Sequence, residues 1–373
     1  MSLSASWRIA GGISLRGKNK SHKLSRLIPK FHFCSVPLFR EEPLISWTYT
    51  DAVLFTAYDV YRSHDFWLDE VVNSGSTLKE ALVNLGFPKT NSLVIDTGVF
   101  EMEAKKAGIS KELGIDVNIE MSNAQIFEAY DLSGADFFVA PDEIILPLDG
   151  PEIIREKVDI IKSNLLDLLD IVKASKTIAV IQGHEQEIVD DLLDFYRENH
   201  IRYLAVGGVI PLYHYDRELL SKHLSYVRRA AKSEWLHVFG LSRMSLLPYY
   251  LQQVKVDSVD TSALTYLTAG RKYLVGLKPV PVRLADFDNC SCPGCRVLSK
   301  EMSTRSAEFF ANLYIHNVVT ASIESKKKYN SPSLLDVQIE KKSVTQAKAK
   351  QPNNNRSGWM TAEEAFREKR YHQ

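Results

Sequence analysis

The chain has 373 residues, of which 45 % are hydrophobic and 25 % charged, and its 46 basic residues balance its 46 acidic residues. This composition is typical of a soluble globular protein with one large domain or two ordinary ones. No apolar run approaches the roughly 18 residues needed to span a bilayer, so we expect no membrane association. The zero net charge excludes the overall basic field that marks many nucleic-acid-binding proteins.

The N-terminal segment is basic in spite of this overall balance. No acidic residue precedes Glu41, whereas eight basic residues do: Arg8, Arg16, Lys18, Lys20, Lys23, Arg26, Lys30 and Arg40. We interpret residues 1–30 as a basic arm. A solvated arm, an arm that contacts phosphates and a transit peptide all fit this composition, and no secretory hydrophobic region is present.

Eight short apolar segments have the character of buried β-strands. They cover residues 31–36, 52–57, 92–95, 136–140, 177–181, 203–206, 236–239 and 256–259. Most of the intervals between them have helical patterns, as in residues 153–173 and 185–199. Apolar strands that alternate with amphipathic helices are typical of parallel β/α units. We therefore predict an α/β fold, a closed (β/α)8 TIM barrel over residues 31–288, with a doubly wound open sheet as the alternative.

Polar residues and glycines stand directly after several of these strands. They are Asp96, Asp142, Gln182, Gly207, Gly208 and Asp260. In barrels of this kind the chemistry takes place at the C-terminal ends of the strands. A single Asp after a strand is usually a helix N-cap, but several that converge on one barrel mouth indicate a polar pocket.

A dense cysteine cluster follows the predicted barrel. Three of the four cysteines are Cys290, Cys292 and Cys295, and His316 lies 21 positions after the last of them. A Pro-Gly turn brings the sulfurs together, and the helical spacing of apolar residues over 302–323 would carry His316 back to them. Three thiolates and one imidazole form a complete tetrahedral set for a structural zinc ion, so residues 289–325 are predicted to be a zinc-binding subdomain.

A disulfide is the weaker interpretation of this cluster. Cys290 and Cys292 are too close to pair easily, and Cys34 has no evident partner. A small number of cysteines gathered as a metal set indicates a reducing compartment, and we expect a cytoplasmic location.

The C-terminal segment, residues 326–373, is rich in lysine and polar residues, with three consecutive asparagines. It is predicted to be a linker or a flexible tail. Residues 359–371 are compatible with a short terminal helix, with Thr361 as its cap and Glu364 three positions later.

Taken in order, the strand ends resemble motifs of the tRNA-guanine transglycosylase superfamily, which includes DNA 7-deazaguanine transglycosylases. The resemblance covers roughly residues 50–325. A-Y-D-V-Y at 57–61 resembles the family's N-T/S-Y-x-x-Y, and D-T-G-V-F-E at 96–101 resembles D-S-G-G-F-Q. D-E at 142–143, V-I-Q-G at 180–183, A-V-G-G at 205–208 and D-S-V-D at 257–260 are similar to D-E, V-Q-G, I-G-G and D-x-F-D. C-x-C-x-x-C with a downstream His is similar to the family's zinc set. Each motif is weak by itself, but their shared order makes the resemblance specific.

The resemblance implies that guanine is exchanged for a 7-deazaguanine base at a glycosidic bond in a nucleic acid. Asp260 would be the nucleophile that forms a covalent glycosyl-enzyme, and Asp96 would be the acid/base. Asp142 would accept hydrogen bonds from the guanine N1–H and amino group, while Gln182 and the backbone of Gly207 and Gly208 would hold its O6 edge. The target base must leave its stack, so we expect an unpaired or flipped guanine.

Several other residues are assigned with alternatives. Tyr58 and Phe100 would sandwich the base or pack the barrel mouth, and Asp257 would contact substrate or support the Asp260 turn. Arg271, with Lys272, would contact the nucleic acid. His184 and His237 flank strand ends and are interpreted as structural histidines.

The sequence also departs from the family pattern. The residues after Asp260 lack the proline and arginines that often grip tRNA, Val99 replaces a glycine, and we expect no C-terminal RNA-binding domain of the archaeal type. These differences favour DNA slightly over tRNA as the substrate. The alternatives are a non-catalytic RNA-binding partner subunit and a hydrolase of free nucleosides. By analogy with the family, we expect a homodimer or heterodimer that uses the zinc region.

Overall fold

The computed structural model describes residues 15–16, 52–57, 75–84, 88–98, 121–261 and 263–329. The predicted strand at 31–36, most of the basic arm and the possible helix at 359–371 lie outside these residues. Tyr58 and Phe100 also lie outside them.

A curled parallel sheet is the centre of the described structure. Its strands are β1 (Leu15–Arg16), β2 (Ala52–Thr56), β3 (Ser92–Asp96), β4 (Phe137–Val139), β5 (Thr177–Ile181), β6 (Tyr203–Val206), β7 (Trp235–Val238) and β8 (Ser258–Val259). The strands from β2 to β8 pair in parallel, each with the next along the chain. These seven strands form a half-barrel in a mixed α/β fold.

The remaining strand differs from the prediction. Strand β1 lies within the segment interpreted as a basic arm and pairs antiparallel with β8, with Leu15 opposite Val259. Within the described residues, no strand pairing joins β1 to β2, so the sheet does not close there. The half-barrel is therefore observed, and the complete (β/α)8 barrel stays a prediction.

Helices alternate with the parallel strands, as the apolar periodicity predicts. They are α1 (Leu78–Asn84), α2 (Asn123–Ser133), α3 (Pro151–Leu169), α4 (Gln186–Glu198), α5 (Val209–Tyr215), α6 (Arg217–Ala230) and α7 (Ala263–Ala269), with a π-helix at Tyr249–Val254. Local sequence explains several of their ends. Ser122 and Gln125 form a capping box at the start of α2, and Pro151 occupies the first turn of α3, where its missing N–H costs nothing.

The sheet has two apolar faces, because successive strand residues point to opposite sides. The outer face packs against the helices and includes Leu93, Ile95, Ala179, Ile181 and Leu236. The inner face is a separate buried cluster of Leu54, Val94, Val139, Ile178, Val180, Ala205 and Trp235. Burial on both faces explains why these strands are uninterrupted apolar runs in the sequence.

A small second core follows the half-barrel. The hairpin β9 (Lys272–Val275) and β10 (Lys278–Pro281) and the long helix α8 (Ala307–Glu324) enclose it. Its buried residues are Tyr273, Ala285, Phe287, Cys295, Leu298, Phe309 and Leu313. Tyr273 and Phe287 precede residue 289, so this core begins earlier than the predicted zinc-binding subdomain.

The buried side chain of Asn317 links elements of this core to a helix of the half-barrel. Asn317 of α8 accepts the N–H of Leu274 in β9 at 3.0 Å and donates to the Thr268 hydroxyl in α7 at 3.0 Å.

Among the helices of the described ranges, none combines the length and apolar character required to cross a membrane.

Candidate active site and metal centre

The C-terminal edge of the inner sheet face is polar. Asp96, Gln182, Gly207 and Asp260 each lie two positions after an inward-facing residue of their own strand, so they continue the inner face beyond its apolar cluster. The structure therefore places four of the predicted site residues on one face and at one edge.

Asp142 and Gln182 form the first group at this edge. Nε2 of Gln182 donates to Oδ2 of Asp142 at 2.5 Å, and both side chains are buried. Burial, followed by the neighbouring negative charge of Asp96, raises the pKa of Asp142 to about 7. At neutral pH this carboxyl is therefore close to half ionised. Strongly shifted pKa values of this kind are common in functional sites.

Gly207 and Gly208 lie directly against the carboxamide of Gln182. A Cβ atom on Gly207 would stand 2.1 Å from Nε2 of Gln182, and Gly208 has a φ of +64°. Both positions therefore require glycine. The N–H of Gly207 already donates to the carbonyl of Ile181 at 3.0 Å, so it is not the base-binding donor implied by the resemblance.

One polar atom in this group lacks a partner. Oε1 of Gln182 is buried and has no hydrogen-bond partner within the described structure. An unsatisfied buried acceptor is costly unless a ligand or water completes it, so the arrangement favours a bound molecule with an N–H or O–H group.

Tyr130 forms part of the support beneath this group and was not singled out in the sequence. Its buried hydroxyl donates to the carbonyl of Val139 at 2.7 Å. Burial raises its pKa well above the usual value, and the charges of Asp96 and Asp142 contribute. The phenol therefore remains protonated and acts as a fixed hydrogen-bond donor.

Asp260 belongs to a second group, on β7 and β8. Its Oδ1 accepts the N–H of Gly240 at 2.7 Å, and Nε2 of His237 lies 3.4 Å from the same oxygen. The carbonyl of Asp260 accepts the N–H of Leu241 at 2.8 Å, and the Thr261 hydroxyl donates back to the Leu241 carbonyl. These hydrogen bonds tie the turn that carries the candidate nucleophile to the turn after β7.

The two groups lie on opposite sides of β6, the strand that ends at Val206, directly before Gly207. Between β5 and β8 there are three strand spacings, or about 14 Å along the sheet, and the curl of the sheet shortens the direct path. Both groups nevertheless lie at the same edge of the sheet.

Two other predicted substrate contacts are engaged in structural interactions. Asp257 lies at the other end of β8, where it accepts the N–H of Leu236 at 2.8 Å and pairs with Arg228 at 3.1 Å. This position favours the supporting role for Asp257. Arg271 has a φ of +54° and donates to the Ala269 carbonyl at 3.0 Å, so its guanidinium caps α7.

The predicted metal ligands lie together. Nδ1 of His316 is 3.5, 3.4 and 3.2 Å from the sulfurs of Cys290, Cys292 and Cys295, and all four ligand atoms lie within 4.8 Å of one another. A tetrahedral ion with a metal–sulfur distance of about 2.3 Å and a metal–nitrogen distance of about 2.1 Å separates sulfur from nitrogen by about 3.6 Å. The cluster therefore fits a metal ion.

The surroundings orient these ligands. Nε2–H of His316 donates to the Leu274 carbonyl at 2.9 Å, which leaves the Nδ1 lone pair directed at the sulfurs. The Tyr273 ring stacks on the imidazole with centroids 3.7 Å apart. Hydrogen bonding from Cys295, with a contribution from His316, lowers the pKa of Cys292, which favours the metal-binding thiolate.

Gly294 explains the turn between the last two cysteines. A Cβ atom at this position would lie 2.2 Å from the backbone oxygen of Asn312 in α8. Only glycine allows the cysteine turn to approach the helix that carries His316.

A scan of the sequence against protein-family models gives no match, and a search of curated proteins finds no similar sequence. The chain is therefore described by its own fold, its polar sheet edge and its cysteine cluster. It is an α/β half-barrel with a buried carboxylate edge and a Cys3His cluster that could hold a metal ion.

Proposed function

We propose that this protein is a glycosyltransferase that exchanges guanine in a polynucleotide for a 7-deazaguanine base through a covalent Asp260 glycosyl-enzyme. The observation that carries the proposal is the inner-face edge where Asp142, Gln182 and the glycine pair lie with Asp260. The motif resemblance to guanine transglycosylases supplies the reaction, and the buried polar edge supplies groups suited to it.

The first group suits a purine that has donors along one edge. Guanine presents N1–H and an amino group together, and the Asp142 carboxylate and the unpartnered Oε1 of Gln182 are acceptors for them. Because Nε2 of Gln182 already donates to Asp142, we assign Gln182 to this edge and not to the O6 edge implied by the resemblance. The backbone N–H of Gly208 is the donor proposed for the O6 side. Acceptance by Asp142 requires its ionised form, so base binding and deprotonation of this carboxyl are coupled.

The second group suits nucleophilic attack. One oxygen of Asp260 bonds to the anomeric carbon as the bond to guanine breaks, and Asp96 protonates the departing base. The incoming base gives its proton to Asp96 and displaces the carboxylate. Two displacements at one carbon retain its configuration, as in other glycosyl transfers with a carboxylate nucleophile.

The ion proposed for the Cys3His cluster is zinc. Three thiolates and one imidazole fill its tetrahedral coordination, so the ion has no open position for catalysis and would stabilise the small core beside β9. Its proposed role is structural.

The test is incorporation of labelled guanine. The protein is incubated separately with tRNA and with duplex DNA, and acid-precipitable label is counted. Exchange is expected into one of them, with DNA favoured because the residues after Asp260 lack the arginines that often grip tRNA. Asp260→Asn should abolish it, whereas Asp194→Asn, at an exposed carboxylate, should not.

Each other outcome identifies a different function. Binding of RNA without exchange would favour a non-catalytic partner subunit, and release of ribose from free nucleosides would favour a hydrolase. Full exchange by Asp260→Asn would refute the proposed nucleophile.

A further inference from the structure

His237 has an unusual position on the inner face of the half-barrel. The residue is 3 % exposed. Its ring stacks on the Trp235 ring, with centroids 6.1 Å apart, and makes an edge contact with the Phe239 ring, with centroids 4.8 Å apart. An imidazole in such an apolar wall needs partners for both of its nitrogens.

Each nitrogen faces a different residue of β8 or the turn after it. Nδ1 lies 2.5 Å from Oγ of Ser258, a residue that is itself fully buried. Nε2 has no hydrogen-bond partner within the described ranges, and it lies 3.4 Å from Oδ1 of Asp260.

Electrostatics decides the tautomer. A lone pair on Nε2 would point at a carboxylate oxygen and be repelled by it, whereas an N–H there is attracted. The Ser258 hydroxyl can donate to Nδ1, because a hydroxyl rotates to suit its partner. The favoured arrangement is therefore a relay in which Ser258 donates to His237 and His237 directs its Nε2–H at Asp260.

We propose that His237 is the positioning residue for the Asp260 nucleophile, a proposal that rests on the glycosyl-transfer function above. Together with the Gly240 N–H, it holds Oδ1 and so fixes the orientation of the carboxylate, and Oδ2 is the atom assigned to the attack. The apolar ring faces and the serine restrict the imidazole to one orientation.

The same contact has a role in both displacements. When Oδ2 bonds to the anomeric carbon, the electron pair of the broken C–N bond leaves with guanine, and Oδ1 becomes the carbonyl oxygen of the ester. When the incoming base displaces the ester, negative charge returns to the carboxylate, where the two N–H donors stabilise it. No additional reactant is required.

The first experiment compares two amide substitutions in the labelled-guanine assay. His237→Gln can place an amide N–H near the position of Nε2, whereas the shorter side chain of His237→Asn reaches only the position of Nδ1. We expect His237→Asn to lower kcat about ten- to hundredfold, the range for loss of a hydrogen bond to a charged group, with KM for guanine within about threefold. His237→Gln should be at least tenfold faster than His237→Asn. Equal rates for the two variants, or a change in KM alone, would overturn the proposal.

A second measurement uses the unsubstituted protein and does not depend on exchange. Nitrogen NMR of histidine-labelled protein should show a protonated Nε2 and an unprotonated Nδ1 for His237, and Asp260→Asn should shift the Nε2 signal more than Asp142→Asn does. The opposite tautomer would overturn the proposal even if both amide variants fail to fold. Exchange activity without this signature would contradict the role of His237 alone, whereas the signature without any exchange would contradict the proposed function.

Discussion

Replacing Asp142 with Asn should stabilise the protein at and above neutral pH. The folded-state pKa of about 7 lies above the unfolded value of 3.8, so the folded protein binds this proton more tightly than the unfolded chain does. The resulting stability is fully present below pH 3.8 and is lost as the pH rises through 7. Asn carries no charge, and its carbonyl oxygen can still accept from Gln182.

The size of the pKa shift determines how strongly the stability difference depends on pH. Each pKa unit corresponds to about 1.4 kcal/mol, so the raised pKa of Asp142 lowers the free energy of unfolding, relative to an unperturbed carboxyl, by about 4 kcal/mol at pH 8 and about 2 kcal/mol at pH 5. Because burial is the largest cause of the shift, solvent screening does not remove it. The advantage of the Asn variant over the wild type should therefore grow by about 2–3 kcal/mol between these two pH values.

The assay is urea unfolding of wild type, Asp142→Asn and Asp194→Asn at pH 5 and pH 8. Asp194 is a suitable control, because its side chain is 74 % exposed. A gap between Asp142→Asn and the wild type that is the same at both pH values would refute the reasoning. So would a variant that is less stable than the wild type at pH 8.

Three further predictions concern the metal, the glycine pair and base binding. Metal analysis should find one zinc ion per chain in the wild type and in the control variant Cys34→Ser. Cys292→Ser, which removes a predicted ligand, should retain less than about a tenth of that zinc. A wild-type protein without metal would contradict the tetrahedral site. Gly207→Ala should weaken guanine binding at least about tenfold in calorimetry, because its Cβ would lie 2.1 Å from the buried amide nitrogen of Gln182. In the control variant Gly150→Ala the new Cβ meets no atom within 4 Å, so this variant should bind guanine normally. Equal affinities of the two variants would contradict the close approach. As the pH rises, guanine affinity should increase by up to about tenfold per pH unit below pH 7 and level off above it, since Asp142 must be ionised to accept the base. As a control, the affinity of Asp142→Asn should not change with pH. A wild-type affinity that is independent of pH would contradict the coupling.

The parallel strands could be predicted from the sequence because both faces of the sheet are buried. The bounds of β5 and β6 are those predicted from their apolar runs, and β3 extends one residue further, to Asp96. Strand β1 could not be predicted, because a two-residue strand has no periodicity and the surrounding segment reads as a charged arm.

The site was predictable where chemistry follows directly from a strand end. This rule predicts Asp96 and Gln182 at the polar edge. The four metal ligands come instead from the close spacing of the cysteines, and the structure brings them together. The strand-end rule could not separate the ends of a very short strand. Asp257 and Asp260 flank a β8 of only two residues, so their side chains serve opposite ends of the sheet.

The contacts of His237 could not be predicted for a related reason. A histidine in an apolar strand is usually a packed structural residue, and only the pairing of β7 with β8 shows that it faces Ser258 and Asp260. Arg271 shows the reverse case. Its sequence position suggests a nucleic-acid contact, but the left-handed backbone turns its guanidinium toward the carbonyls of α7.

The most direct measurement of the proposed nucleophile is mass spectrometry of the protein after incubation with the polynucleotide that supports exchange, followed by denaturation and proteolysis. A glycosyl adduct is expected on the peptide that contains Asp260, and added guanine should discharge it. An adduct on another residue, or its persistence in Asp260→Asn, would contradict the assignment.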